Sequence, residues 1–290
     1  MRRVLHVLAV VALIGALAAC GSSDDGGSEG TTTTATPTTG DETTTTAEGA
    51  GDPDLAETPV LLYFVRGEDV AVGGFTAIGP TVGRQALEAL LIGPTGENAA
   101  AGMGTQIPPD TELLDLDVAD GVATVDLSEE FASGGGSLAM QLRVAQVVYT
   151  LEQFPTVDQV DFLIDGEAVD GIGGEGLPTS YTDPTVAFAD VTPAILVTSP
   201  VPGQVLSTPI AVEGISTTFE ATIQWSLGTT VGKIIDQGFA TDGGANGTYD
   251  SFSITMEGDG STGSSVVTLW QDSAETGDRV DVYEVPVTIE

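Results

Sequence analysis

The chain contains one cysteine and one histidine, Cys20 and His6, and both lie close to its N-terminus. A disulfide needs a second cysteine, and a structural zinc site needs several Cys or His ligands. Each folded domain must therefore be stabilised by its apolar core, without cross-links of these kinds. A chain that has lost its first 19 residues also lacks the side chains for Ser-His-Asp or Cys-His catalysis.

Cys20 directly follows a basic N-terminus and a short apolar segment that ends in Leu17, Ala18 and Ala19. This order is typical of a bacterial lipobox, and the apolar segment is shorter than the roughly 20 residues that span a bilayer. We therefore predict a signal peptide over residues 1–19 and lipid attachment at Cys20. The protein would then lie on the extracytoplasmic face of the bacterial cell membrane. The alternative is an uncleaved anchor with an incidental cysteine.

The charge balance is strongly acidic, with 43 acidic and 7 basic residues and a formal net charge of −36. Phosphate recognition needs clustered Lys and Arg, so the composition argues against nucleic acid as a partner. An acidic surface also disfavours direct adhesion to anionic lipid headgroups. Membrane attachment would therefore depend on the acyl chains. The acidic surface could suit a saline habitat, or it could bind divalent cations in the wall.

Residues 20–57 are predicted to form a flexible linker. Eleven threonines fall between Thr31 and Thr46, and no apolar period accompanies them. After the linker, a glycine-rich segment that begins at Gly171 interrupts any regular secondary structure. We predict a first domain over 58–170, a second linker over 171–192 and a second domain over 193–290.

The first domain alternates strand-like and helix-like periods. An apolar run at 60–65 predicts a buried strand, and residues 81–91 follow a helical period. Two alternating segments, 113–118 and 122–127, predict a hairpin. A second helix, capped by Ser137, should continue to about residue 153, and a strand follows at 160–164. The order strand, helix, two strands, helix, strand indicates a small α/β domain with helices covering a sheet.

The second domain contains short strand patterns separated by Pro, Gly, Asn and Asp turns, and it predicts an all-β immunoglobulin-like sandwich. We expect Trp225 and Trp270 to lie in its core. The fold class is thus α+β, with a mixed domain followed by a sandwich. The predicted strands are 195–199, 210–214, 222–227, 234–240, 249–256, 265–271 and 280–289.

Six blocks of the first domain, in order, resemble the GerMN domain of sporulation and spore-germination lipoproteins. The second domain is similar to the immunoglobulin-like domain of bacterial spore-germination proteins, which commonly follows GerMN. The resemblance implies modules for assembly or ligand contact and supplies no enzymatic activity. One departure is the segment 73–83, read as a loop, which lacks the charged pattern expected there. The GerMN blocks are YF at 63–64, ALLIGP at 89–94, IPP at 107–109, GVATVDLS at 121–128, TLEQFP at 150–155 and VDFLIDG at 160–166. The immunoglobulin-like blocks are SP at 199–200, Gly203, STPI at 207–210, VEG at 212–214 and FEA at 219–221.

Several other motifs have ordinary structural interpretations. The glycines at 171, 173 and 176 match a dinucleotide fingerprint, but Pro178 follows and no helix is predicted to open there. The carboxylates Asp126, Glu129 and Glu130 could serve as a glycosidase pair, although such pairs arise by chance in so acidic a chain. The loop 242–250 carries oxygen ligands, but its spacing misses the EF-hand pattern. We therefore predict no cofactor and no metal.

The sequence favours a non-catalytic, lipid-anchored envelope protein. Its domains would bind wall polymer such as peptidoglycan, or envelope proteins, in sporulation, germination or envelope assembly. Two alternatives remain open at this point. One is a cell-wall glycan hydrolase that uses a carboxylate pair, and the other is a solute-binding component of a transporter.

Overall fold

The computed structural model describes residues 56–174 and 176–290. Leu17, Ala18, Ala19 and Cys20, and almost all of the predicted linker 20–57, lie outside the described residues. The predicted fold class is confirmed: a mixed domain of helices and strands precedes an all-β domain with the architecture of a sandwich. No helix within the described ranges is long and apolar enough to cross a membrane.

The first domain contains a two-stranded ribbon, β1-β2, and a sheet of order β3-β4-β5-β6. Helices pack against both. The strands are β1 (Glu57–Arg66), β2 (Asp69–Ile78), β3 (Leu113–Ala119), β4 (Val122–Leu127), β5 (Gln159–Ile164) and β6 (Ser180–Tyr181). The helices are α1 (Val82–Ile92), α2 (Gly96–Ala100), α3 (Ser137–Glu152) and α4 (Pro184–Ala187).

The predicted hairpin is present as β3 and β4, which pair antiparallel. Its turn residues Asp120 and Gly121 both have positive φ, 53° and 84°, as a tight two-residue hairpin turn requires. Helix α3 then connects β4 to β5, which pair in parallel. This long helix is buried on nearly every side, so its apolar residues do not define a single stripe.

Strand β2 is absent from the predicted element order. Residues 69–78 pair with β1 along their whole length, so the segment 73–83 is not a loop but the end of a strand, a turn and the start of α1. The prediction failed because Gly73 and Gly74 interrupt the apolar pattern, and glycine weakens a strand on propensity grounds. In the folded protein both glycines are closely approached by other side chains.

Ser137 was also misassigned as a helix cap. It is the first residue of α3, and Gly136 precedes it in the cap position. The Gly136 carbonyl accepts the Met140 N–H at 2.9 Å, which opens the helical hydrogen-bond ladder. No side-chain cap is formed, so the backbone of the preceding glycines starts this helix without the serine hydroxyl.

The segment predicted as the second linker, 171–192, is largely folded onto the first domain. Its residues 180–181 form β6, which pairs with β5, and α4 follows. Tyr181, Phe188 and Val191 are buried. The prediction of a linker is wrong for this part of the segment, because a few apolar side chains between polar ones carry no periodicity even when each one is buried.

The second domain consists of two facing sheets. The larger has the order β11-β10-β14-β15-β8, and the smaller places β9 between β13 on one side and β7 and β12 on the other. The strands are β7 (Ile195–Ser199), β8 (Val205–Leu206), β9 (Ile210–Thr218), β10 (Thr222–Thr229), β11 (Ile234–Thr241), β12 (Gly244–Ala245), β13 (Asp250–Met256), β14 (Gly263–Asp272) and β15 (Arg279–Ile289).

The two predicted core tryptophans are both buried, but in different environments. Trp225 belongs to the main apolar core, and its ring lies over Gly238, where a Cβ would come within 2.6 Å of it. Trp270 pairs with Gln224, the residue next to Trp225. Its side chain therefore lies on the opposite face of the sheet from that of Trp225. There the guanidinium of Arg279 covers it, 3.7 Å from a ring centroid. Buried residues of both domains form one contiguous apolar cluster.

Candidate functional site

The β1-β2 ribbon has two free edges, and side chains cover much of both. On the β1 edge, the Leu61 N–H donates to Gln153 Oε1 at 2.9 Å, and Gln153 Nε2 donates to the Leu61 carbonyl at 2.7 Å. The Tyr63 N–H donates to Thr150 Oγ1 at 3.1 Å. The amide of Gln153, the residue that follows α3, thus occupies the place of a neighbouring strand and protects this edge from further pairing.

The β2 edge is covered in the same way at two positions. The Asn98 amide accepts from the Gly74 N–H at 3.2 Å and donates to the Gly74 carbonyl at 3.0 Å. The Gln85 amide makes the equivalent pair with Ile78, at 3.0 and 2.7 Å. Because backbone groups point outward at alternate residues, Thr76 must also present its N–H and C=O to this edge. Within residues 56–290 neither group has a described partner.

A groove of about 660 Å³ opens beside this uncovered position, and both domains form its walls. The first domain contributes parts of β1, β2 and α2, and the second contributes the turn between β7 and β8. The lining residues are Pro59, Val60, Leu61, Gly74, Phe75, Thr76, Thr95, Glu97, Asn98, Thr198, Ser199, Val201, Pro202, Gly203 and Gln204.

Close contacts through glycines build the floor of the groove. A Cβ at Gly74 would lie 2.6 Å from Val201 Cγ2, and one at Gly73 would lie 2.7 Å from the Asn98 amide carbon. Here the glycine belongs to the second domain: Gly203 leaves space for the side chain of Glu97 from the first domain, which lies against it. Gly74 and Gly203 therefore allow the two domains to approach each other more closely than larger residues would, while Gly73 makes room for Asn98 within the first domain.

The buried Tyr283 of the second domain connects the two domains through a hydrogen bond. The Val72 N–H of β2 donates to Tyr283 Oη at 3.1 Å, and the Arg66 guanidinium lies 4.4 Å from the centre of the Tyr283 ring. Arg66 also donates to the Glu284 carbonyl at 3.0 Å. Burial raises the pKa of Tyr283, so the phenol stays neutral and remains a hydrogen-bonding group at physiological pH.

A second set of hydrogen bonds between the domains involves Thr192. Its hydroxyl donates to the Phe188 carbonyl at 2.8 Å and lies 2.7 Å from Tyr149 Oη, so the Tyr149 phenol donates to it. From the second domain, Tyr249 Oη donates to the Thr192 carbonyl at 2.7 Å. Burial raises the pKa of both phenols, that of Tyr249 to about 12. Hydrogen bonds through Tyr283 and Thr192 therefore connect the two domains that form the groove walls.

The groove is acidic in character. Glu97 is the one charged residue among those that line it. The ion pairs formed within the described residues are Arg84–Asp115 and Lys233–Asp259, so neither involves Glu97. A site with a free carboxylate and no basic lining residue disfavours phosphates and other anions and suits a neutral or cationic ligand.

The carboxylates considered for catalysis lie elsewhere and have structural partners. Asp126 Oδ1 accepts the Gly166 N–H at 2.9 Å. Glu129 and Glu130 start a short 3₁₀ turn, and a hydrogen bond from Ser128 lowers the pKa of Glu130. A glycosidase acid instead needs a raised pKa to remain protonated near neutrality. Glu130 is therefore poorly suited to that role.

The other sequence motifs form turns. Gly173 and Gly176 both have positive φ in a turn closed by Ile172 and Leu177, and no helix follows within the described neighbours. In the loop 242–250, the Asp242 carboxylate accepts the N–H groups of Gly243 and Ser253. Among the described residues, no group of three or more His, Cys, Asp or Glu side chains is placed to hold a metal ion.

The sequence missed the groove, although Gly73-Gly74 inside a strand was a usable signal, since it often marks a close approach by another backbone or side chain. The predicted site residues Leu17, Ala18, Ala19 and Cys20 lie outside the described residues and stay predictions. The groove residues come from segments that are far apart in sequence, so their proximity depends on the packing of the two domains.

Solved structures similar to this chain include two of one Bacillus subtilis protein and one of a Clostridium perfringens protein. The first GerMN domain of the sporulation protein GerM from Bacillus subtilis is 26% identical, with 43% of this chain and 97% of that one covered and a TM-score of 0.35. The tandem GerMN domains of the same protein are 18% identical, with coverage of 70% and 62% and a TM-score of 0.38. A Clostridium perfringens protein provisionally named as a lipoprotein is 22% identical, with coverage of 44% and 88% and a TM-score of 0.33.

Two family models match the chain, one for each folded domain. Residues 61–170 match Germane, described as sporulation and spore germination, and residues 194–278 match Gmad2, the immunoglobulin-like domain of bacterial spore germination. No curated protein matches significantly. The resemblance stated from the sequence is confirmed: the protein is of the sporulation and spore-germination type, with a first domain of the Germane family and a second domain of the Gmad2 family.

Proposed function

We propose that the protein is a non-catalytic, lipid-anchored binding protein of the cell envelope, and that the interdomain groove is its recognition site. The observation that carries this proposal is that both domains form the groove walls and that hydrogen bonds through Tyr283 and Thr192 hold them in place. A preorganised groove loses little conformational entropy when it binds a ligand.

Attachment through Cys20 would place the groove outside the bacterial cell membrane. The lipobox pattern at 17–20 supports this localisation, and both matched families concern sporulation and spore germination. The partners consistent with such a position are peptidoglycan and other envelope proteins. The acidic charge of the chain makes nucleic acid an unsuitable partner.

The test compares binding by the wild-type chain and by Thr76→Trp, which fills the groove from an exposed strand position. The full chain is incubated with purified peptidoglycan sacculi and, separately, with detergent-solubilised envelope proteins, and the bound fraction is measured by co-sedimentation or crosslinking. Thr255→Trp is the matched control, since Thr255 is also an exposed strand threonine but lies outside the groove. We expect Thr76→Trp alone to reduce binding.

Equal binding by the two tryptophan variants would contradict the groove as the recognition site. Absence of binding to both sacculi and envelope proteins would contradict the binding function itself. The rival glycan hydrolase is tested in the same preparation by assaying release of soluble fragments from sacculi. Turnover that is lost in Asp126→Asn and Glu130→Gln would establish that rival.

A further inference from the structure

We propose that the groove binds an extended peptide segment that hydrogen-bonds to the open edge of β2 at Thr76 and places a cationic group near Glu97. This inference rests on the proposed function and names the ligand class of the same site. Strand addition uses backbone hydrogen bonds for affinity and side-chain contacts for specificity.

The first argument concerns the hydrogen-bonding groups that remain free. The Asn98 amide is committed to Gly74, and Gln204 Oε1 accepts the Val201 N–H at 3.1 Å. The Asn98 amide and the Gln204 carbonyl oxygen are therefore already engaged by the backbone. The backbone N–H and C=O of Thr76, by contrast, face the groove side of an exposed edge without a described partner, and they match the hydrogen-bonding groups of an extended peptide.

The second argument concerns length. The covered positions Gly74 and Ile78 are four residues apart, or roughly 13 Å along a strand. One residue of an incoming peptide can therefore pair with Thr76 while the amides of Asn98 and Gln85 block continued pairing on either side. Between these two side-chain amides, Thr76 is the one position that faces the edge, so the site favours a short contact and limits further strand addition, which is the hazard of exposed edges.

The third argument concerns charge and apolar contact. Glu97 supplies a carboxylate on one wall, and the groove also contains apolar surface from Phe75, Val201 and Pro202. A peptide with a lysine or another amine beside small apolar residues complements both features. An acidic peptide would be repelled by Glu97 and by the net charge of the chain.

The test uses the full ¹⁵N-labelled chain and a capped five-residue peptide of alternating threonine and valine with a central lysine. Saturable shifts of the Thr76 amide resonance in NMR spectra are expected. Thr76→Pro removes the N–H donor at an edge position where proline is tolerated. It should weaken peptide binding about tenfold, because one hydrogen bond is lost and the peptide carbonyl is left without a partner. Thr76→Val keeps the N–H and should bind as the wild type does.

Charge is tested with Glu97→Gln and with a peptide in which glutamate replaces the central lysine. Each change should weaken binding about threefold or more, as expected for an exposed ion pair. A peptide that is N-methylated at its central residue should lose the Thr76 shift without any change in the protein, so the result does not depend on the folding of a variant.

Three outcomes would overturn the inference: no saturable shift at Thr76, equal binding of the lysine and glutamate peptides, or Thr76 shifts caused by a trimer of N-acetylglucosamine and by no peptide. Suppose that one of these outcomes is found, but the wild-type chain binds sacculi or envelope proteins and Thr76→Trp does not. The proposed function then stands and only the peptide assignment fails. If the wild-type chain binds neither sacculi nor envelope proteins but does bind the lysine peptide, the peptide assignment stands and the proposed function fails.

Discussion

Replacing Asn98 by alanine tests whether side-chain amides truly stabilise the β1-β2 ribbon. The Asn98 side chain is 9% exposed and makes two hydrogen bonds to the backbone of Gly74, at 3.2 and 3.0 Å. The substitution removes both bonds and leaves the Gly74 N–H and C=O without these partners. It adds no steric conflict, since alanine is smaller than asparagine and favours the helical backbone of α2.

The expected cost follows from these contacts. Two hydrogen bonds of about 1 kcal/mol each give about 2 kcal/mol, and the better helix propensity of alanine offsets about 0.5 kcal/mol. The free energy of unfolding should therefore fall by about 1.5 kcal/mol. For a chain of this size, that corresponds to a decrease of roughly 3–6 °C in the midpoint of thermal unfolding.

Gln85→Ala is the matched control, because Gln85 makes the same pair of bonds to Ile78 on the same strand. Ile78 is 53% exposed, so water can replace both bonds there, and we expect a loss of about 0.5 kcal/mol or less. Urea unfolding gives both values, and amide exchange at Gly74 should accelerate about tenfold in Asn98→Ala alone. Equal costs for the two variants, or no change in Gly74 exchange, would refute the reasoning.

Other variants test the joint, the titration of a buried acid and the anchor. Tyr283→Phe removes the acceptor of the buried Val72 N–H, and thermal melting should report a loss of about 1–3 kcal/mol; unchanged melting would contradict the bond. Burial, with two nearby aspartates, raises the pKa of Glu152 from 4.5 to about 8. The folded chain therefore binds more protons than the unfolded chain between these values and loses stability as the pH rises through them. Glu152→Gln should be more stable by about 1 kcal/mol at pH 9, after solvent screening of this half-buried group, and should match the wild type at pH 4 in urea unfolding. Cys20→Ser should move the chain from the membrane fraction to the soluble fraction, and its retention in membranes would contradict lipid attachment.

Elements with their own periodicity could be predicted from the sequence. The hairpin at Asp120-Gly121 was recognisable because its turn needs two positive φ angles and alternating strands flank it. Helix α1 was recognisable because apolar residues follow a helical period and Gly93-Pro94 follows its end. In both cases the signal lies within a dozen neighbouring residues.

Elements that depend on distant partners could not be predicted in this way. Strand β2 contains two glycines and becomes a strand because β1 pairs with it and because Asn98 and Val201 fill the space that the glycines leave. The sequence predicts a linker over 171–192, because the burial of Tyr181 and Phe188 depends on the surface of the first domain and leaves no local signal. Propensity describes a residue alone and does not include such partners.

The two domain types, the predicted lipobox at Cys20 and the acidic charge that argues against anionic ligands can be read from the sequence, because each depends on composition or on local order. The groove depends on tertiary packing. The bonds Leu61–Gln153 and Val72–Tyr283 join residues 92 and 211 positions apart, and they exist only when helix, ribbon and sandwich are packed together. A side-chain amide can replace a strand neighbour wherever folding brings it to a free edge, so the uncovered position at Thr76, between the amides of Asn98 and Gln85, is a property of the packed protein.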